Sequence, residues 1–101
     1  MFKTVDINLP GFKYPKCKLK ELNIADMLKA GRIQAEDDTK AFFFMVEKGL
    51  INDAGDRVIN DSYTVEQFCE EMPQSVMIAL GEAVAKLNNN SDGEALAIAK
   101  N

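Results

Sequence analysis

The chain has no histidine and no tryptophan, and its 101 residues include only two cysteines, three prolines and six glycines. The missing histidine takes away the commonest general base and the commonest metal ligand together. The reading is a non-enzymatic protein with no catalytic residue, no metal and no cofactor assigned. Scarce proline and glycine, beside 47% hydrophobic and 28% charged residues, exclude a disordered or fibrous chain. No apolar run approaches the ~18 residues that a membrane span needs, and the length suits one domain with one core. The Met1–Pro10 stretch lacks the apolar centre of a secretion signal, and Cys17 and Cys69 lie far apart, so the expectation is a reduced, cytosolic protein. Cys69 stands in Glu66-Gln67-Phe68-Cys69-Glu70-Glu71, where negative charge raises a thiol's pKa and works against a nucleophilic role. Both cysteines are read as core or half-buried packing residues.

A net charge of −4 opposes binding to nucleic acid or to an anionic membrane, which reward clustered Lys and Arg. The charge is unevenly distributed. Residues 1–22 hold Lys3, Lys13, Lys16, Lys18 and Lys20 against Asp6 and Glu21, a net of +3, and the remainder carries −7. Alternating lysines decorate the wet face of a strand and discourage edge pairing; a docking patch for an acidic partner is the alternative.

Residues 2–7 mix apolar and polar positions at short range and stop at Pro10-Gly11, a turn signal. From Tyr14 to Leu22, Cys17 and Leu19 alternate with Lys16, Lys18 and Lys20, the period of a half-buried strand, and the two segments are expected to pair as an antiparallel hairpin. Asn23 caps a helix expected to run to about Ile33, with an exit near Gly31-Arg32 and one apolar stripe of Ile24, Met27, Leu28 and Gly31. Glu36-Asp37-Asp38 opens the next helix, where a positive helix end favours carboxylates, and Gly49 closes it. Leu50-Ile51 and Val58-Ile59 flank an Asx-rich stretch that reads as a second short hairpin or a tight loop. That stretch lacks the spacing of oxygen ligands, glycine and glutamate that an EF-hand requires, so its Asx residues are assigned to turns. Thr64-Val65-Glu66-Gln67 is a capping box for a short helix to about Glu71. Pro73 starts a long helix whose Val76, Leu80, Ala83, Val84 and Leu87 form one core-facing stripe, with Gly81 marking a close crossing. The polar run from Asn88 to Gly93 cannot bury a face. The expected architecture is α+β: a single small domain of residues 1–88 with three to four helices packed on short antiparallel β-hairpins, and a flexible C-terminal tail over 89–101.

Ala41-Phe42-Phe43-Phe44-Met45-Val46 is the most informative run, because at about 100° per residue three adjacent phenylalanines cannot share one helix face. With Phe42 on the Met45 and Val46 side, Phe44 falls among Lys40, Glu47 and Lys48. An aromatic inside a polar helix face is the kind of residue that anchors a protein interface; a helix buried between two elements would place all three rings inside instead. Asp61-Ser62 has the look of an acyl-carrier phosphopantetheine site, but Tyr63 follows the serine and Thr64 takes the helix cap, so turn chemistry is preferred.

The order of these pieces resembles the tail assembly chaperones of long-tailed bacteriophages. The resemblance spans about residues 14–88: the lysine-flanked hairpin leading into Leu19-Lys20-Glu21-Leu22, a helix, the loop Gly49 to Gly55, Phe68 to Pro73, and a closing helix from Leu80 to Leu87 that ends in Asn. It implies a phage or prophage protein of the bacterial host cytoplasm that binds the tape measure protein, recruits major tail protein subunits of the tail tube, and is absent from the mature virion. It also leaves room for homo-oligomers. The partner-binding residues are then expected to be Phe43, Phe44 and Lys48. Competing readings are a structural tail or connector subunit, a small acidic regulatory binding protein, and an acyl-carrier-like protein modified at Ser62.

Overall fold

Helix α2 (Asp38–Gly49) runs without a loop into strand β3 (Leu50–Asn52), and this junction sets how the layers meet. The computed structural model describes residues 2–89; the expected tail over 89–101 lies outside the described residues beyond Asn89. Strands β1 (Thr4–Asn8) and β2 (Lys16–Lys20) form the expected antiparallel hairpin, with Val5 opposite Leu19 and Ile7 opposite Cys17. Strand β3 adds to the other side of β2, Leu50 facing Leu19, so the sheet order is β1-β2-β3. On its other side β3 receives the returning chain in the expected tight hairpin-like loop, the Val58 amide donating to the Leu50 carbonyl at 3.0 Å and the Asn52 amide to the Asp56 carbonyl at 2.9 Å. Ile51 and Arg57 form an antiparallel bridge there, too short to count as a fourth strand, and Val58 and Ile59 are buried in the core. The side chain of Asn52 supplies the reason for the tight return: its Oδ1 accepts from the amides of Ala54 and Asp56, and Gly55 takes φ +89°.

One face of the sheet presents Val5, Ile7, Cys17, Leu19 and Leu50 to the core; the other carries the strand lysines. The period-two expectation for residues 16–20 holds, but β2 is the central strand, so its lysines cover a wet face and protect no edge. Helix α4 (Gln74–Asn89) lies against β1 and β2, and α2 lies against β2 and β3. Val76, Leu80 and Ala83 are buried from α4, with Val84 and Leu87 packed at the edge, as the stripe predicts. Phe68 of helix α3 (Val65–Glu71) fills the centre and meets Phe12 edge-on at 6.3 Å. Phe68, Leu9, Leu19, Leu50, Ile59, Leu80 and Val46 are the largest fully buried side chains, each contributing about 1.5–3 kcal/mol. Among the described residues no polar or charged side chain is buried.

The caps follow local chemistry. Asn23 Oδ1 accepts from the Asp26 amide at the head of helix α1 (Ile24–Glu36), and the Thr64–Gln67 capping box is complete. Helix α1 does not end near Gly31-Arg32. It passes through Gly31 to Glu36, and Asp37 then serves both helices: its amide donates to the Ile33 carbonyl while its Oδ1 accepts from the amides of Thr39 and Lys40. Asp38 does sit in the first turn of α2, but Glu36 belongs to the end of α1.

Gly81 marks no close crossing, since an added Cβ there would meet nothing within 4 Å. The close approach is at Gly49, where a Cβ would stand 2.5 Å from the Lys20 carbonyl oxygen and 3.2 Å from Leu19 Cδ1. Gly49→Ala is expected to destabilise the fold by about 1–3 kcal/mol, because the obstacle is backbone and cannot rotate away. Gly81→Ala is expected to stabilise by about 0.5–1 kcal/mol through helix propensity alone. Urea midpoints of the two variants shift in opposite directions if both contacts are as described.

Burial, reinforced by the charge of Asp53, pushes the Cys17 thiol up to about 11; its Sγ–H donates to the Tyr14 carbonyl at 3.2 Å. Burial, with the hydrogen bond and charge of Glu71, pushes Tyr63 up to about 12. Both groups fold in their neutral forms, so the stability they confer is complete below their unfolded pKa values. It drains as pH rises from about 9 to about 11 for Cys17 and from about 10 to about 12 for Tyr63. Denaturation midpoints measured from pH 8 upwards are expected to fall across this window, and Cys17→Ala is expected to flatten the first part of the fall.

Candidate apolar binding surfaces

Helix α2 has two sides with different duties. Ala41 and Val46 are buried, and Phe42 packs against the core. A step of about 100° per residue turns Phe43 and Phe44 away from the sheet and toward α3. None of the three phenylalanines is fully buried or fully exposed; all are half-buried. Phe42 meets Phe43 edge-on at 5.2 Å, and Lys48 places Nζ 5.7 Å from the centre of the Phe44 ring. The structure thus brings Phe43 and Phe44 to one groove, while Lys48 touches the Phe44 ring from the neighbouring depression that it lines with Arg57 and Thr64.

Phe43 and Phe44 form part of an open groove of about 870 Å³ between α2, α3 and the end of α1. Ile33, Val65 and Cys69 complete its apolar lining. Cys69 is exposed here and is not a packing residue, because α3 turns Phe68 inward and the next position outward. Its thiol is raised above its ordinary range by partial burial and by the Glu66 carboxylate. Glu36, Asp37, Glu47, Glu66 and Glu70 rim the groove against the single cation Lys40. Asp37 is engaged as the helix cap, and Glu47 faces Arg57 at 3.9 Å.

A second surface escaped the sequence reading. The α1 stripe is present, but it faces solvent: Ile24 is 74% exposed, Met27 55% and Leu28 54%. Helix α1 packs on α2 through buried Ala30 and half-buried Ile33. The centre of the stripe lies roughly 110° round the helix from Ala30. Met27, Ala30 and Gly31 also line a smaller groove of about 540 Å³ closed by Phe42, Met45, Val84 and Leu87. The signal was available in sequence, since the stripe and Ala30-Ile33 fall on different helix faces, but only the contact with α2 decides which face is covered.

Ser62 occupies the tip of a turn closed by reciprocal backbone hydrogen bonds between Asn60 and Tyr63, and its amide donates to Asn60 Oδ1. Helix α3 begins only at Val65, so the serine does not open a helix. Among the described residues there is no group of three potential metal-ligating side chains, and no helix is long and apolar enough to cross a membrane.

No family model matches the chain, and no curated protein matches it. Among solved structures the chain is similar to the tail assembly chaperone of bacteriophage HK97, with a TM-score of 0.61 and 18% identity, over 87% of this chain and 84% of that one. The chain therefore shares the fold of that chaperone through nearly the whole length of both.

Proposed function

We propose that this protein is a phage or prophage tail assembly chaperone, acting without chemistry of its own in the host cytoplasm and leaving no copy in the finished virion. It binds the tape measure protein and recruits major tail protein subunits during tail morphogenesis. The observation that carries this reading is the likeness of fold to the HK97 tail assembly chaperone across nearly the full length of both chains. The order of sequence elements supports it independently, and so do the surfaces. A protein that holds an aggregation-prone helical client needs apolar contact area outside its own core and enough net charge to keep the complex dissolved. The α1 stripe and the Phe43–Phe44 groove supply the first, and a charge of −4 supplies the second. Phe43, Phe44 and Lys48 are the assigned contact residues, Lys48 holding its cation over the Phe44 ring.

Co-expression with a cognate tape measure protein is expected to yield a soluble complex that purifies together. Phe44→Ser is expected to weaken that association by about 30-fold, the loss of an aromatic anchor, while its circular dichroism and urea midpoint stay close to those of the parent. Mass spectrometry of purified particles is expected to find no copy of the chain; stoichiometric presence there would identify a structural tail subunit instead.

A further inference from the structure

The α2–α3 groove has a chemistry more specific than apolarity. Its floor is Phe43, Phe44 and Val65, and five of its lining side chains are carboxylates against one lysine, Lys40, with a second cation, Lys48, beside the Phe44 ring. Asp37 and Glu47 already have partners, as described above. Glu36, Glu66 and Glu70 make no hydrogen bond or ion pair within the described residues, and all three are exposed. They stand on two helices, Glu36 at the end of α1 and Glu66 and Glu70 one turn apart on α3, so they flank the apolar floor from both sides. Like charges gathered around an apolar strip repel one another, and a ligand that brings cations to the rim as it covers the floor relieves that repulsion. The walls are helices and offer no free strand edge, so the fitting element is a third helix laid between two others. Nucleic acid and anionic lipid are repelled by the same rim.

We propose that the groove between α2 and α3 receives a cationic amphipathic helix of a partner protein, its apolar face on Phe43, Phe44 and Val65 and its flanking Lys or Arg opposite Glu36, Glu66 and Glu70. This deepens the chaperone reading by naming the chemistry of the client segment, and it rests on that reading only for which protein carries the helix.

The test uses three synthetic helical peptides of about five turns with one apolar face and flanks of Lys and Arg, of Gln, or of Glu, titrated against the full chain by fluorescence anisotropy. The cationic peptide is expected to bind about tenfold more tightly than the neutral one, the sum of three partly exposed charge pairs, with the advantage shrinking between ~50 and ~300 mM salt. Glu66→Lys with Glu70→Lys is expected to reverse the order of the peptides. The bound cationic peptide is expected to protect Cys69 from maleimide, and Phe44→Ser is expected to weaken all binding. Equal affinity for the three peptides, or unprotected Cys69, overturns the proposal. A concentration-dependent dimer abolished by Phe44→Ser overturns it too, assigning the groove to a second copy. If the tape measure protein binds and the Glu66→Lys, Glu70→Lys variant binds it equally, this inference fails and the chaperone reading stands. If cationic helices bind in the groove and the tape measure protein does not associate, the chaperone reading fails and this inference stands.

Discussion

The contact between Gly49 and the carbonyl of Lys20 governs the rest of the structure. A helix that ends against a strand usually needs several residues to turn away, yet α2 passes into β3 at the next residue, with the Leu50 amide donating to the Val46 carbonyl as the helix's last bond. That is possible only where the final residue presents no side chain to the neighbouring backbone. The short path places Leu50 opposite Leu19 and makes β2 the central strand. It also fixes the rotation of α2, so that Val46 enters the core and Phe43 and Phe44 leave it. The groove beside Phe43 and Phe44 is therefore a geometric consequence of the helix-to-strand junction.

The two charge populations follow the same division. The lysines of β2 alternate with Cys17 and Leu19, which face the core, and none of the three lines the α2–α3 groove. The carboxylates gather on the helical side, where some of them cap helices and others stand on the groove rim. With every described charge outside the core, folding is driven by apolar burial, and the charges remain free to set solubility and partner choice.

Local chemistry was legible in sequence and long-range pairing was not. The capping box at Thr64–Gln67, the Asn23 cap and the lysine alternation of residues 16–20 each depend on neighbours within four positions, and each is in place. Leu50-Ile51 read as an extended segment beside a tight turn, but its pairing with β2 was not legible, because three residues carry no register and the partner lies some thirty positions earlier. Gly31 and Gly81 looked like punctuation or contact points because glycine is costly in a helix, but open space surrounds both. For the phenylalanine run, periodicity showed that one ring must leave the shared face and named Phe44, whereas the structure sends Phe43 out beside it. The carboxylate rim was invisible because it is assembled from three helices.

Helix α1 shows why a surface cannot be inferred from amphipathicity alone. It contributes one buried side chain, Ala30, while holding Ile24, Met27 and Leu28 in solvent. Removing those three from water would be worth far more than burying Ala30, roughly 25 cal/mol for each Å² covered. The fold nevertheless turns the small residues inward. Ala30 and Ile33 allow α1 to lie close along α2, and that close packing leaves the bulkier stripe facing outward. An exposed stripe of this kind invites self-association unless something opposes it, and net negative charge on the helical body supplies the opposition between free copies. The same repulsion is cancelled when a partner brings positive charge. Apolar exposure and acidity are thus one arrangement: the charge opposes contact between the exposed apolar surfaces of free copies.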